Sequence, residues 1–278
     1  MPFQYRPDGT YVKNLSLTRR IMPYIMKGRN ESVVFYEQKI PVGKVRDFLH
    51  RFREKTGEKA TILHLVLWVT GQILNDRPRL NRFVAGHRIY QRHGIWASFS
   101  AKKKMDDTGS VIAIKRKIDP MWDFKTLVKK LTDTISEEKS DKLSHTDKEL
   151  SLIFKLPSMI IGPMAKLLMV LDHFGLLPGF FIEDDPMFAS IMIANLGSIS
   201  LDSAYHHLYE YGNIPIFLTI GKQQKEVIVD AQGEIQAVST ISLKFSFDER
   251  IADGFYCLRG LGIFKEIISN PDKFIPIE

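Results

Sequence analysis

The 278-residue sequence contains a single cysteine, Cys257, and its first residues lack the apolar core of a signal peptide. An internal disulfide is therefore excluded, and a reducing, cytoplasmic location is the prediction. The sequence also lacks a Gly/Ser-rich linker and an internal repeat, so it predicts one mixed α/β domain over residues 1–278. Its apolar stretches are all shorter than the roughly 18–20 residues that a membrane span requires.

Acidic residues are fewer than basic ones, 32 against 39, which gives a formal net charge of +7. This balance favours anionic partners, such as nucleic acid, a membrane surface or the phosphates of a nucleotide-containing cofactor. The basic residues are scattered and are not interleaved with the aromatic residues on which bases would stack. Nucleic acid is therefore not predicted as a partner.

Apolar spacing and composition predict the secondary structure. Helices are predicted at 18–26, 43–55, 60–75, 123–139 and 253–269, with Asp123 as an N-cap. Strands are predicted at 32–37, 82–85, 88–91, 95–101, 110–118, 187–195, 214–221, 226–229 and 235–248. Gly221 and Lys222 are predicted to form the turn between two of these strands.

Residues 145–185 are unusually apolar. Two stretches, 150–156 and 159–171, are separated by Pro157, and Gly162 and Pro163 predict a further break. One interpretation is a pair of helices that covers the sheet or forms an oligomer contact. The other is an acyl-chain tunnel, or an element that contacts a membrane surface through 150–181.

The most informative segment is 242–254, which reads SLKFSFDERIADG. An alternating strand ends there in a charged cluster, and a helix is predicted to begin at Asp253 and Gly254. Polar groups at such a strand end can project into a cleft, where acid–base chemistry is commonly placed. The alternative is structural: an Asp253 helix cap and a surface pair between Arg250 and an aspartate.

This segment resembles the end of the catalytic domain of 2-oxoacid dehydrogenase acyltransferases, in the chloramphenicol acetyltransferase-like superfamily. Asp248, Arg250, Asp253 and Gly254 match its aspartate-histidine-arginine and aspartate-glycine motif. Three further segments agree in order: RPRLN at 77–81, ANLG at 194–197 and IPIFLTIG at 214–221. The resemblance spans about residues 16–272, with 145–185 as an insertion and no lipoyl or subunit-binding domain.

The resemblance implies a two-layer α/β fold, with a large mixed β-sheet backed by helices. It also implies a homotrimer, or a cage of trimers, with active sites between subunits. The partners that the resemblance implies are coenzyme A and an acyl-carrying thiol. The activity that it implies is acyl transfer. In that family the motif histidine takes the thiol proton. A serine or threonine before asparagine-leucine-glycine, from the neighbouring subunit, stabilises the oxyanion, and the aspartate at the position of Asp253 is structural.

Two chemical positions depart from the family. Glu249 replaces the histidine, and Ala194 replaces the oxyanion-stabilising hydroxyl. An unperturbed glutamate lies about four pKa units below a thiol, which makes proton transfer roughly 5–6 kcal/mol uphill. Loss of an oxyanion donor costs about 2.7–4 kcal/mol. Asn195 and Gly197 keep the motif, and Ser198 is the nearest hydroxyl that could replace the missing donor.

His206 and His207 are candidates for a relocated base. An extended backbone would point the two side chains to opposite faces, so that one faces the cleft and Glu249 orients its imidazole. The alternatives are two histidines without a catalytic role, or a metal site. No third ligand is evident, so no metal is predicted.

Two functions therefore stay open. The first is a divergent CoA-dependent acyltransferase-like protein that moves an acyl group between coenzyme A and an unknown acceptor with altered catalytic residues. The second is a non-catalytic structural or assembly protein that keeps the trimeric acyltransferase core.

Overall fold

Two β-sheets and a layer of helices make up the computed structural model, which describes residues 5–102, 111–139, 154–229 and 232–277. Its helices are α1 (Leu17–Ile25), α2 (Gly43–Thr56), α3 (Ile62–Asp76), α4 (Phe124–Lys139), α5 (Ser158–Phe174), α6 (Gly179–Asp184) and α7 (Gly254–Ser269). Its strands are β1 (Tyr5–Arg6), β2 (Gly9–Tyr11), β3 (Val33–Pro41), β4 (Arg82–Ala85), β5 (Arg88–Arg92), β6 (Ile95–Lys102), β7 (Val111–Ile118), β8 (Ile191–Asn195), β9 (Ile216–Val229) and β10 (Ile235–Asp248). The first part of the predicted insertion, 145–153, lies outside the described residues.

The large sheet has the strand order β3-β10-β9-β8-β6-β7. The pairs β9–β8 and β8–β6 are parallel, and the other pairs are antiparallel. Buried residues of α2, α3, α4 and α7 form one hydrophobic core with this sheet. The predicted two-layer fold, a large mixed sheet backed by helices, is confirmed.

Strand β10 contributes side chains to two chemically different faces of the large sheet. Because side chains alternate along a strand, Leu243, Phe245 and Phe247 enter the core beneath the helices. The polar residues between them, Ser242, Lys244 and Ser246, point to the opposite face. There Lys244 Nζ donates to Ser203 O at 3.1 Å, and Ser246 Oγ donates to His206 O. The segment that carries the histidine pair therefore lies across the sheet face opposite the helices.

The small antiparallel sheet, β1-β2-β5-β4, is joined to the insertion by a buried arginine. The Arg6 guanidinium lies over the rings of Phe83 and Tyr90, 5.3 and 5.5 Å from their centroids. It also donates to Asp8 Oδ1 at 3.0 Å and to Asp172 Oδ1 of α5 at 2.7 Å. One charge network thus connects the first strand with the inserted helix.

Helix α5 exposes most of its apolar surface. It has no buried residue, and its contacts with strands include β4 and Arg6 of β1, both in the small sheet. None of the buried core residues beneath the large sheet comes from α5, and the alternative role of the insertion in an oligomer contact stays a prediction. Its exposed large hydrophobic residues are Met159, Ile160, Leu167, Met169, Val170 and Phe174. Among the described residues, no helix has the length and apolar character needed to cross a membrane.

Two predicted breaks do not occur. Helix α5 continues through Pro163, which removes one helical N–H donor. Strand β9 continues past Gly221 and Lys222, so the chain does not turn there. Instead, the pairing register between β9 and β10 shifts at this point. A Cβ on Gly221 would lie 2.6 Å from Ser203 N. Glycine is needed there because another chain segment approaches the strand, not because the strand ends.

His64 gives helix α3 a pH-dependent start. Its Nδ1 accepts from the Thr61 N–H at 3.1 Å, which requires a neutral ring. Burial lowers the pKa of His64 to about 4, whereas an unfolded histidine titrates near 6.5. The unfolded chain therefore binds the proton first as the pH falls.

We expect the free energy of unfolding to decrease by about 3 kcal/mol as the pH falls from 6.5 towards 4 through this group. Urea unfolding at pH 7, 5.5 and 4.5 measures it. The control is His64→Gln, which keeps a side-chain acceptor at the third helical position but does not titrate. An equal acid loss in both proteins would exclude His64 as the cause.

Candidate functional site

The strand end after β10 is held by a buried ion pair. Arg250 donates to both carboxylate oxygens of Asp248, from Nε at 2.8 Å and from Nη2 at 2.7 Å. Its Nη1 also donates to Met26 O at 2.9 Å. Both side chains are almost completely buried. The pair expected at the surface is thus internal, and it fixes the backbone on both sides of Glu249.

Glu249 is anchored through its backbone, and its side chain is left unpaired. Its N–H donates to Ser32 O at 2.9 Å, and its carbonyl accepts from Arg19 Nη1. The partly exposed carboxylate makes no hydrogen bond or ion pair with any residue in the described ranges. The pKa of nearby Tyr36 is raised, first by burial and then by Cys257 and Glu249. The backbone of Glu249 is therefore fixed, while its carboxylate has no partner among the described residues.

Asp253 caps the helix that follows. Its carboxylate accepts from the Tyr256 N–H at 2.8 Å, and α7 begins at Gly254. This hydrogen bond is the main cause of the lowered pKa of Asp253. Asp253 thus has the geometry of a structural aspartate, and Glu249 is the carboxylate of this segment that is left without a partner.

The Ala194 motif lies at the end of β8. A 3-10 turn, Leu196–Ile199, follows the strand, and Ser198 Oγ donates to Asn195 O at 2.7 Å. A Cβ on Gly197 would lie 2.6 Å from Gly221 O, so the turn packs closely against β9. The Ser198 hydroxyl proton is already used within this turn, so Ser198 is a poor replacement for the missing oxyanion donor.

The sheet register separates the two altered positions. Ala194 pairs with Thr219, which pairs with Lys244, and Glu249 lies five residues further along. Two strand spacings and five residues of strand correspond to about 19 Å. Within one chain, Ala194 and Glu249 therefore cannot serve the same reacting atom.

The two histidines form a stack instead of facing apart. Their rings are parallel within 17°, with centroids 4.7 Å apart, and His206 stacks on Phe217 at 3.9 Å. The prediction of opposite faces is wrong because the segment is not a regular strand. His206 Nδ1 donates to His207 O at 2.7 Å, and His207 Nδ1 lies 3.2 Å from Leu208 O. Neither imidazole is hydrogen-bonded to Glu249, so the expected carboxylate–imidazole pair is not formed.

Four arginines surround the start of α7, and the sequence-based prediction missed them. They are Arg19, Arg77, Arg79 and Arg82, from α1, the end of α3, the following turn and the start of β4. Three of them lie within six residues around the RPRLN motif, and this density was the available signal. Among the described residues, no group of three histidine, cysteine or acidic side chains could hold a metal ion.

Residues 183–275 match the model of the family described as 2-oxoacid dehydrogenases acyltransferase (catalytic domain). This match confirms the resemblance predicted from the sequence motifs. No sequence among the curated proteins matches this chain significantly.

Several solved structures have the same fold as this chain. A probable dihydrolipoamide acetyltransferase from Listeria monocytogenes is 14% identical, with 96% of each chain covered and a TM-score of 0.61. The cubic core of the pyruvate dehydrogenase multienzyme complex is 14% identical to this chain. The match covers 95% of this chain and 94% of that structure's chain, with a TM-score of 0.59. A chloramphenicol acetyltransferase is 12% identical to this chain. The match covers 93% of this chain and 95% of that enzyme's chain, with a TM-score of 0.52. At these identities the similarity establishes the fold.

Proposed function

This chain has the fold of the 2-oxoacid dehydrogenase acyltransferase catalytic domain, and from that premise we propose a divergent CoA-dependent acyltransferase-like function. The acyl group would move between coenzyme A and a second substrate. The net charge of +7 suits the phosphates of coenzyme A.

The unpaired carboxylate of Glu249 is the observation that carries this proposal. It stands at the position of the family's histidine, after a strand end that the Asp248–Arg250 pair fixes. A carboxylate kept only for structure would be expected to pair with a nearby cation. Arg250 is committed to Asp248, and Arg19 donates to the backbone carbonyl of Glu249 instead. This geometry suits a general base.

Glu249 would accept the proton of the acceptor's nucleophile as that atom attacks the thioester carbonyl of acyl-CoA. The new bond joins the acyl carbon to the acceptor, and the bond from that carbon to sulfur breaks. Glu249 then returns the proton to the departing thiolate, so that acylated acceptor and free coenzyme A are the products.

We also propose that the protein works as a homotrimer, or as a cage of trimers. The distance of about 19 Å between Ala194 and Glu249 means that one chain cannot bring both positions to a single centre. Contact between subunits would bring them together. The cubic core among the similar structures supports such an assembly.

Replacement of Glu249 with glutamine tests the proposed base. We expect kcat/KM for acyl transfer from a panel of acyl-CoAs to decrease by about 100-fold or more, the usual contribution of a general base. Release of free thiol measures the rate. Glu266→Gln, on the exposed face of α7, removes the same charge and should leave the rate unchanged.

A rate that survives in Glu249→Gln but is lost in His206→Ala or His207→Ala would move the base to the histidine pair. The second candidate, a non-catalytic structural or assembly protein, is favoured by Ala194 and by the engaged hydroxyl of Ser198. If the intact oligomer neither turns over nor binds any acyl-CoA, that result would support the non-catalytic alternative and contradict the acyltransferase proposal.

A further inference from the structure

The arginine cluster at the start of α7 is defined by Arg19, Arg77, Arg79 and Arg82. Two of these four arginines lie over the ring of Tyr256. The guanidinium carbons of Arg77 and Arg79 lie 4.0 and 5.2 Å from the centroid of this ring. Arg77 Nη2 also donates to Tyr256 O at 3.3 Å, and the Arg79 N–H lies 3.4 Å from Tyr256 Oη. The first turn of α7 therefore holds two cations side by side.

The other two arginines complete the cluster. Arg82 Nε donates to the neutral side chain of Gln91 at 3.3 Å, and Arg19 donates to the Glu249 carbonyl. The pKa of Arg82 is lowered, first by burial and then by the charges of Arg79 and Arg19. Arg82 is thus affected by the charges of both Arg79 and Arg19.

The positive charge of the cluster is not neutralised by direct ion pairs. Within the ranges that the structure describes, none of the four arginines forms an ion pair with a carboxylate. The nearby carboxylate of Asp253 accepts a hydrogen bond from the Tyr256 N–H in the first turn of α7. In addition, Arg77 Nε is buried without an acceptor. Four guanidinium groups, with Asp253 and Glu249 beside them, leave a surplus of about two charges at neutral pH.

We propose that the arginine cluster binds a phosphate group of the acyl acceptor next to Glu249, a proposal that rests on the acyltransferase function above. A phosphate monoester carries a charge of about −1.5 to −2 and three acceptor oxygens, whereas one carboxylate is satisfied by a single arginine. The charge and the number of donors therefore match a phosphate better than a carboxylate.

The position next to Glu249 assigns the phosphate to the acceptor. Arg19 contacts the Glu249 backbone directly, so an anion in the cluster lies close to the proposed base. In coenzyme A the phosphates are separated from the thiol by the whole pantetheine arm. A phosphate close to the reacting atoms therefore belongs to the other substrate. Bound there, it would hold the acceptor's nucleophile within reach of Glu249.

Titration calorimetry with inorganic phosphate and pyrophosphate tests the site without depending on turnover. We expect the double variant Arg79→Gln/Arg82→Gln to bind pyrophosphate about 100-fold more weakly, at least tenfold for each lost charge-assisted contact. The control Arg46→Gln/Arg53→Gln removes two exposed cations of α2 and should retain the affinity. Equal binding by all three proteins, or no binding by the unaltered protein, would overturn the proposal.

Coenzyme A, dephospho-CoA and pantetheine distinguish the source of the phosphate. If the double variant loses pyrophosphate but keeps its affinity for coenzyme A, the cluster serves the acceptor, as proposed. An equal loss for coenzyme A would assign the cluster to that substrate and contradict this assignment. Phosphate binding by the unaltered protein, with no turnover of any acyl-CoA in that same protein, would uphold the anion site while the acyltransferase function failed.

Discussion

Replacing Arg250 with alanine is expected to decrease the free energy of unfolding by about 3–5 kcal/mol, because it leaves Asp248 charged and buried without its partner. The side chains of Asp248 and Arg250 are 1% and 3% exposed, and two hydrogen bonds join them. The change also removes the donor to Met26 O, which connects the segment after α1 to the strand end. Urea unfolding monitored by circular dichroism measures the loss.

The double variant Asp248→Leu/Arg250→Met controls for the ion pair itself. Apolar residues of similar size in place of both partners should restore much of the stability, since no charge then remains buried. Arg46→Ala, on the exposed face of α2, should change the unfolding free energy by less than about 0.5 kcal/mol. If Arg250→Ala costs no more than this surface change, the pair does not hold the strand end.

The Arg6→Met substitution is expected to cost about 3–5 kcal/mol and to loosen α5 more than the large sheet. Arg6 is 1% exposed and bridges Asp8 and Asp172. Burial alone would raise the pKa of Asp8, but Arg6 and Arg92 hold it below its usual value. Without Arg6, two carboxylates lose their shared donor in a buried position.

Chemical unfolding and hydrogen exchange together measure this effect. Amide exchange in α5, Ser158–Phe174, should accelerate, whereas exchange in β10 should follow only the global loss of stability. Lys166→Met also removes one cation, but on an exposed part of α5, and serves as the control. Unchanged protection of α5 in Arg6→Met would show that its apolar contacts alone hold the insertion.

Local periodicity predicted most of the fold. Helices α2, α3 and α7 and strand β10 follow the sequence pattern closely, because burial of one face determines each of them. The prediction failed where distant segments decide the structure. Gly221 looks like a turn residue, but the approach of Ser203 explains it, and that approach is not encoded near position 221.

The same distinction explains the predictions about the site. Glu249 could be identified from the sequence because the motif around it, from Asp248 to Gly254, fixes its position. The stacking of His206 on Phe217 could not be predicted, since it depends on how a loop crosses the sheet. The arginine cluster was missed because Arg77 and Arg79 are brought together over the ring of Tyr256, which lies far from them in the sequence.

The separation of about 19 Å between Ala194 and Glu249 has a consequence for mixtures of intact and damaged chains. In the proposed trimer each site would take one part from each of two neighbours. Activity would then belong to boundaries between subunits and not to individual subunits. One chain damaged at one of these two positions would inactivate the single subunit boundary to which it contributes that position. The other two boundaries of the trimer would stay active. The loss would follow the number of broken boundaries.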